Sequence, residues 1–270
     1  MWLHTSCRLA FRIEVPTPFV LMLRPRSGAQ QWIASEEYLL EPFVPVFEFT
    51  DDYGNLCQRL VAPPGDFSLS TAARVMTADR IDEHPGGYFV EIPALPDSVL
   101  RFLLPSRYCE ADRFGAMAAD IVADRAPGYD QVAAIEDWLR RSFHFRPGSS
   151  SASLSALEAS RQPEAVCRDL AHLGISLCRA LGIPARMVVG YLYGLEPMEF
   201  HAWFEAYVSH RWYTFDATQP VKGPGYVAIG YGRDAADVAV YTQFGPAVYP
   251  VDHRVRVAIA DSLAPASRFC

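Results

Sequence analysis

The chain has 270 residues, half of them hydrophobic, and a formal net charge of −7 at pH 7. That length and apolar content suit one large or two modest domains with a substantial core, and exclude a disordered tail. Lys and Arg are scattered without a basic stripe, which argues against a nucleic-acid partner, and pairs such as Arg140 and Arg141 read as solvated helix surface. In chain order, the opening MWLHTSCRLAFRIEV has no apolar leader core before Arg8, and no run anywhere approaches the roughly 20 apolar residues of a membrane helix. A cytoplasmic protein without a membrane partner is expected.

Residues 1 to about 105 read as β-rich. Leu9, Phe11, Ile13 and Val15 alternate with polar or small neighbours, and Phe19 to Leu23 follows a proline-marked turn. Further turns fall at Asp51 to Asn55 and at Pro63-Pro64-Gly65, a spacing that suits a small sheet or sandwich. The character then changes. Ala116 to Arg125 and Gln131 to Phe143 carry apolar residues at helical intervals, with Ile135, Trp138 and Leu139 on one stripe. The expected division is a β-rich N-terminal domain over 1–107 and a second domain over 108–270. Pro147 to Ser155 has the composition of an exposed loop, either a flap or a connector.

From Cys167 the pattern predicts a helix, CRDLAHLGISLCRA, ended by Leu181-Gly182-Ile183-Pro184, with Gly182 suited to the left-handed position after a helix and Pro184 blocking continuation. Strands are expected at Ala185 to Leu192, Ala202 to Val208 and Trp212 to Asp216. The tail His253 to Ile259 alternates and could return to either sheet.

Cys167, His201 and Asp216 stand in the order that a thiol nucleophile, its base and the base's orienting acid require. A helix N-terminus favours a thiolate at Cys167. On the helix, Cys167, Ala171, Gly174 and Cys178 share a small-residue face that a strand backbone could approach closely. A hairpin turning at Ser209-His210 pairs Val208 with Arg211 and hence Trp203 with Asp216. His201 and Asp216 become diagonal neighbours on one face, within reach of a hydrogen bond. A one-residue slip would undo this, and Ser209-His210 is not a strong turn sequence.

Asp169 reads as a helix-capping carboxylate and His172 as a packing residue. The Cys167 N–H is a natural oxyanion donor, with Gln162 a possible side-chain partner. Six cysteines, at 7, 57, 109, 167, 178 and 270, lack a disulfide framework's density. Cys167, His172, Cys178, His201 and His210 fall in one region, but without CxxC or HExxH spacing no metal is expected.

The motifs Cys167-Arg168-Asp169-Leu170-Ala171-His172-Leu173, Ala180 to Arg186, Gly190-Tyr191, His201-Ala202-Trp203-Phe204-Glu205, Phe215-Asp216-Ala217-Thr218 and Gly232 to Val238 together resemble the bacterial transglutaminase-like superfamily, over roughly residues 130 to 245. The resemblance implies an α+β fold with a papain-like, transglutaminase-like core, a Cys-bearing helix packed on an antiparallel sheet, behind the β-rich N-terminal domain. It also implies Cys167, His201 and Asp216 in the three catalytic roles. Two positions depart from the family's pattern: Ala165 stands where Gly is usual, and Phe143-His144-Phe145 stands where an aromatic-x-Tyr is frequent. The expected activity is thiol-dependent hydrolysis of a peptide or protein amide, without a cofactor. Amine transfer onto protein glutamine and a non-catalytic binding module are the alternatives.

Overall fold

Leu3, Thr5, Cys7, Leu9, Phe11 and Ile13 alternate onto a buried face, so Trp2–Ile13 forms a strand, β1. The structure is a computed structural model that describes residues 1–149 and 153–260. Residues 150–152 of the predicted loop and Cys270 lie outside the described residues. After β1 come β2 (Thr17–Leu21), β3 (Gln31–Glu41), β4 (Phe47–Thr50), β5 (Leu56–Ala62) and β6 (Gly65–Thr77). The helical stretch holds α1 (Asp97–Leu100), α2 (Gly115–Val122) and α3 (Tyr129–Ser142), then the two-residue strand β7 (His144–Phe145), α4 (Ala156–Ala159), β8 (Glu164–Ala165) and α5 (Cys167–Ala180). The chain continues through β9 (Ala185–Leu192), β10 (His201–Val208), β11 (Arg211–Phe215), β12 (Tyr226–Gly232), β13 (Tyr241–Gln243) and β14 (Pro250–Ile259).

Three antiparallel four-stranded sheets result, with orders β14-β1-β6-β3, β13-β2-β5-β4 and β11-β10-β9-β12. The first two meet through rings: Phe11 on β1 packs 5.2 Å from Phe19 on β2 and 5.5 Å from Tyr241 on β13. The tail, which the sequence left open between sheets, returns to the front pair. Cys7 lies opposite Val255 on β14, and Leu21 opposite Tyr241.

The third sheet carries α5, which is buried from Asp169 to Arg179 and therefore apolar over most of its circumference. The small face of α5 is used, though not as expected. A Cβ placed on Gly174 would lie 2.5 Å from the Phe204 ring, so an aromatic side chain of β10 fills the notch rather than strand backbone. The end of α5 follows the sequence: Gly182 has φ +76°, its N–H donates to Arg179 O, and Ile183 N–H donates to Cys178 O, a Schellman closure.

The β10–β11 hairpin has the predicted register, Val208 opposite Arg211 and Phe204 opposite Phe215. Ser209 and His210 adopt φ +48° and +60°, as a two-residue I′ turn requires. The turn is held from outside. Ser209 N–H donates to Tyr88 O, and the His210 ring packs against Tyr88 and Tyr207.

At the other edge of this sheet, β12 is covered by two carboxamides from the N-terminal region. Gln31 donates to Ala228 O and accepts from Ala228 N, both at 2.8 Å. Asn55 donates to Tyr231 O at 2.7 Å and accepts from Tyr231 N at 2.8 Å. Each amide stands in for a neighbouring strand's peptide group, so the edge is closed without another strand.

Candidate active site

Asp216 follows β11 directly, one residue beyond Phe215. His201 opens β10 opposite Gly190 on β9. The structure brings them together: His201 Nε2 lies 2.7 Å from Asp216 Oδ2, with both side chains 1% exposed. Trp203, two residues along the same strand face, stacks on the His201 ring at 6.0 Å. Its ring sits over Gly190, where a Cβ would be 2.9 Å from the indole and 2.0 Å from Val227 O. The glycine of the Gly190-Tyr191 motif is thus a requirement of packing.

Asp216 is a buried carboxylate with a full set of donors. Oδ2 also accepts from the Tyr226 hydroxyl at 2.8 Å, while Oδ1 accepts from Thr218 N at 3.0 Å and Thr218 Oγ1 at 2.7 Å. Burial alone would raise its pKa, but the His201 charge and these hydrogen bonds outweigh it and hold the carboxyl below the usual range. The same pairing acts on the ring. Burial disfavours the imidazolium, yet Asp216 first and Cys167 second lift His201 to about 10. Tyr226, desolvated and beside Asp216, is pushed upward and remains a donor.

His201 Nδ1 is buried and makes no hydrogen bond of ordinary geometry to a described residue. It is the nitrogen left for the thiol of Cys167, which stands close enough to act on the ring's proton affinity. Cys167 opens α5 and is partly exposed, whereas Cys7, Cys57, Cys109 and Cys178 are buried. Burial pushes the Cys7 and Cys109 thiols up to about 12 and Cys57 to about 11, and raises Cys178 as well. Beside Cys167, β7 and β8 pair in parallel and set Phe145 opposite Ala165, two residues before that thiol. A ring without a hydroxyl therefore lines this approach. Gln162 is exposed, in a turn whose N–H donates to Ala159 O.

The neighbouring motif residues build the frame. Asp169 Oδ2 accepts from Val166 N at 3.3 Å and caps α5. His172 is fully buried, stacked 5.3 Å from the Tyr108 ring, with Nδ1 donating to Leu154 O at 2.9 Å and Nε2 accepting from Ala235 N at 3.2 Å. Asp234, also buried, accepts from Tyr108 N and Ala236 N. The Cys167–Leu173 and Gly232–Val238 motifs are thus two halves of one latch.

Sequence reasoning missed three contributors. Glu136 on α3 accepts from Asp216 N at 2.6 Å and pairs with Lys222 at 3.1 Å. A carboxylate on a buried helix face beside Ile135 and Leu139 was the available signal. Thr218 lay in a quoted motif without a role, and Tyr226 had no local signal. Arg140, taken as solvated, is 29% exposed and donates to Gln219 O, tying α3 to the loop after Asp216 because it lies one turn from Glu136. Among the described residues no group of three or more His, Cys, Asp or Glu side chains is arranged to hold a metal ion.

Residues 115–217 match the family described as Transglutaminase-like superfamily. A solved structure from Cytophaga hutchinsonii, described as a "putative cysteine protease", is 34% identical, covers 100% of this chain and 94% of its own, and has a TM-score of 0.89. An uncharacterised protein of Mycobacterium leprae is 28% identical over 231 residues, 80% of this chain and 82% of its own length. One of Mycobacterium tuberculosis is 26% identical over 259 residues, 80% of this chain and 77% of its own.

Proposed function

Since this chain belongs to the transglutaminase-like superfamily, we propose that it is a thiol-dependent acyl-transfer enzyme that hydrolyses peptide or protein amide bonds. Cys167 is the nucleophile, His201 the proton shuttle and Asp216 the group that orients and charges the ring. The observation that carries the reading is the division of labour on His201: Nε2 is bound to Asp216, and Nδ1 is left for the one described thiol that is not buried.

In the first half-reaction the thiolate of Cys167, whose proton already rests on His201 Nδ1 because Asp216 keeps that ring protonated above neutral pH, adds to the amide carbonyl carbon. The tetrahedral oxyanion is met by N–H groups at the start of α5, which have no intrahelical acceptor. His201 returns the proton to the departing amine as the C–N bond breaks, leaving a thioester on Cys167. In the second, water gives a proton to His201 and its oxygen to the acyl carbon, the C–S bond breaks, and the thiolate–imidazolium pair is restored with release of a carboxylic acid.

The test is incubation with a peptide library, with and without a labelled primary amine. Hydrolysis that Cys167→Ala abolishes is expected. Amine incorporation without hydrolysis would replace this reading with cross-linking. A folded protein whose Cys167 resists alkylation would point to a binding module.

A further inference from the structure

Asp216 serves His201 with an oxygen that it shares. Oδ2 accepts from His201 Nε2 at 2.7 Å and from the Tyr226 hydroxyl at 2.8 Å, whereas Oδ1 is taken by the Thr218 N–H and hydroxyl. Thr218 stands two residues after Asp216 and comes with the turn, but Tyr226 is delivered by another strand. It opens β12, opposite Leu192 on β9. Gly225 before it has φ +107°, and a Cβ there would lie 2.7 Å from Tyr193 Cβ, so the entry to β12 is one that only glycine fits. Two residues on, the Gln31 amide holds both the N–H and the C=O of Ala228, so the N-terminal region also fixes where the hydroxyl lies.

The Tyr226 ring packs 5.0 Å from Trp203 and 6.4 Å from His201, and phenylalanine would fill the same space. Nor is the hydroxyl needed to satisfy the buried carboxylate, since Oδ2 already has the ring N–H and Oδ1 has two donors. The chemistry gives the hydroxyl a task. The tetrahedral adduct collapses to products only when the His201 Nδ1 proton moves to the departing nitrogen. Against burial, Asp216 and the Cys167 thiolate both hold that proton on the ring. Once sulfur is bonded to carbon, Asp216 remains. A hydroxyl that donates to Oδ2 draws off part of the charge the ring faces and weakens its hold on the proton. The other charged groups around the pair are bound among themselves: Glu136 holds Asp216 N and is matched by Lys222 at 3.1 Å and Arg140 at 3.8 Å, while Arg168 lies 3.7 Å from Asp169.

We infer that Tyr226 is a positioning residue of this site: by donating to Oδ2 it fixes the Asp216 carboxylate toward His201 and eases transfer of the Nδ1 proton to the departing amine. The inference rests on the amide-hydrolase reading and deepens it.

The test is Tyr226→Phe in the full chain. In a Cys167→Ala background, imidazole NMR should show the His201 midpoint rise by about one unit, the worth of one hydrogen bond to a charged group. An unmoved or lowered midpoint overturns the inference, and this measurement needs no turnover. With Cys167 present, the probes are one peptide cleaved in the library, as its amide and as its p-nitrophenyl ester, whose leaving group departs as an anion and takes no proton. Tyr226→Phe should lower kcat for the amide about three- to ten-fold with KM little changed, and slow acylation by the ester less than about two-fold. Equal losses for amide and ester would mark a merely structural role and overturn the inference. The two readings fail separately. Cleavage with equal losses removes the role of Tyr226 and leaves the hydrolase, while a raised midpoint in a chain that cleaves no peptide removes the hydrolase and leaves Tyr226 acting on the ring.

Discussion

His172 should make the fold acid-sensitive in a window that no surface histidine would produce. Its two ring nitrogens are engaged as one donor and one acceptor, so the ring is neutral, and a second proton would face the Ala235 N–H. Burial is the main cause of its low proton affinity, with Arg168 adding to it. The Leu154 carbonyl, Asp234 and Glu110 work the other way, and the net value is lowered from 6.5 to about 4. The folded pKa lies below the unfolded one, so the contribution is fully present above pH 6.5 and is lost as pH falls toward 4. From pH 7.5 to 5 the loss from this group is about 2 kcal/mol, reaching about 3 kcal/mol by pH 4. Urea denaturation at pH 7.5, 6.5, 5.5 and 5.0 measures it against His172→Gln, whose amide keeps a donor and an acceptor but does not titrate. The wild-type curve should fall more steeply by that amount. Parallel curves would refute the buried neutral latch.

Three further outcomes are expected. His201, followed by imidazole NMR, should stay protonated well above pH 7 and titrate near 10, whereas in Asp216→Asn it should lose its proton at or below the ordinary 6.5; an unmoved midpoint would mean that Asp216 is not its main partner. With Cys270 replaced by Ser, the native protein should take up one equivalent of iodoacetamide quickly, at Cys167, and four more only on unfolding; fast labelling elsewhere, or none, contradicts the burial pattern. Gly174→Ala should cost about 1–3 kcal/mol by overpacking against Phe204, with the loss reduced in a Gly174→Ala, Phe204→Leu double variant when both are compared by chemical denaturation; simple additivity would show that the two sites do not touch.

What the sequence revealed was whatever has a short period. The helix at Cys167, its closure at Gly182 and the hairpin register that aligns His201 with Asp216 all follow from alternation and helical spacing over a few residues. The weak turn at Ser209-His210 forms because Tyr88, more than a hundred positions earlier, supplies the acceptor and ring that support two positive φ angles. Tyr226 was invisible for the same reason, since its tie to Asp216 depends on where the fourth strand of a sheet comes to lie. The amide clips from Gln31 and Asn55 join residues 197 and 176 positions apart, and nothing local distinguishes them from surface polar residues. The choice of sheet for the tail, and of Phe204 for the Gly174 notch, was decided by tertiary packing.

The pairing of β1 with β14 has a consequence for how the chain reaches this state. Leu3 lies opposite Ile259, so β1 can complete its second ladder only when the far end of the chain is present. Until then β1 is held by β6 alone, with one edge open, while α5 and the β10–β11 hairpin close over short sequence distances. Contacts of such separation make folding slow, and the open edge is a template for another copy of the chain. Refolding yield should therefore fall as protein concentration rises, even though the segment bearing Cys167 is assembled early.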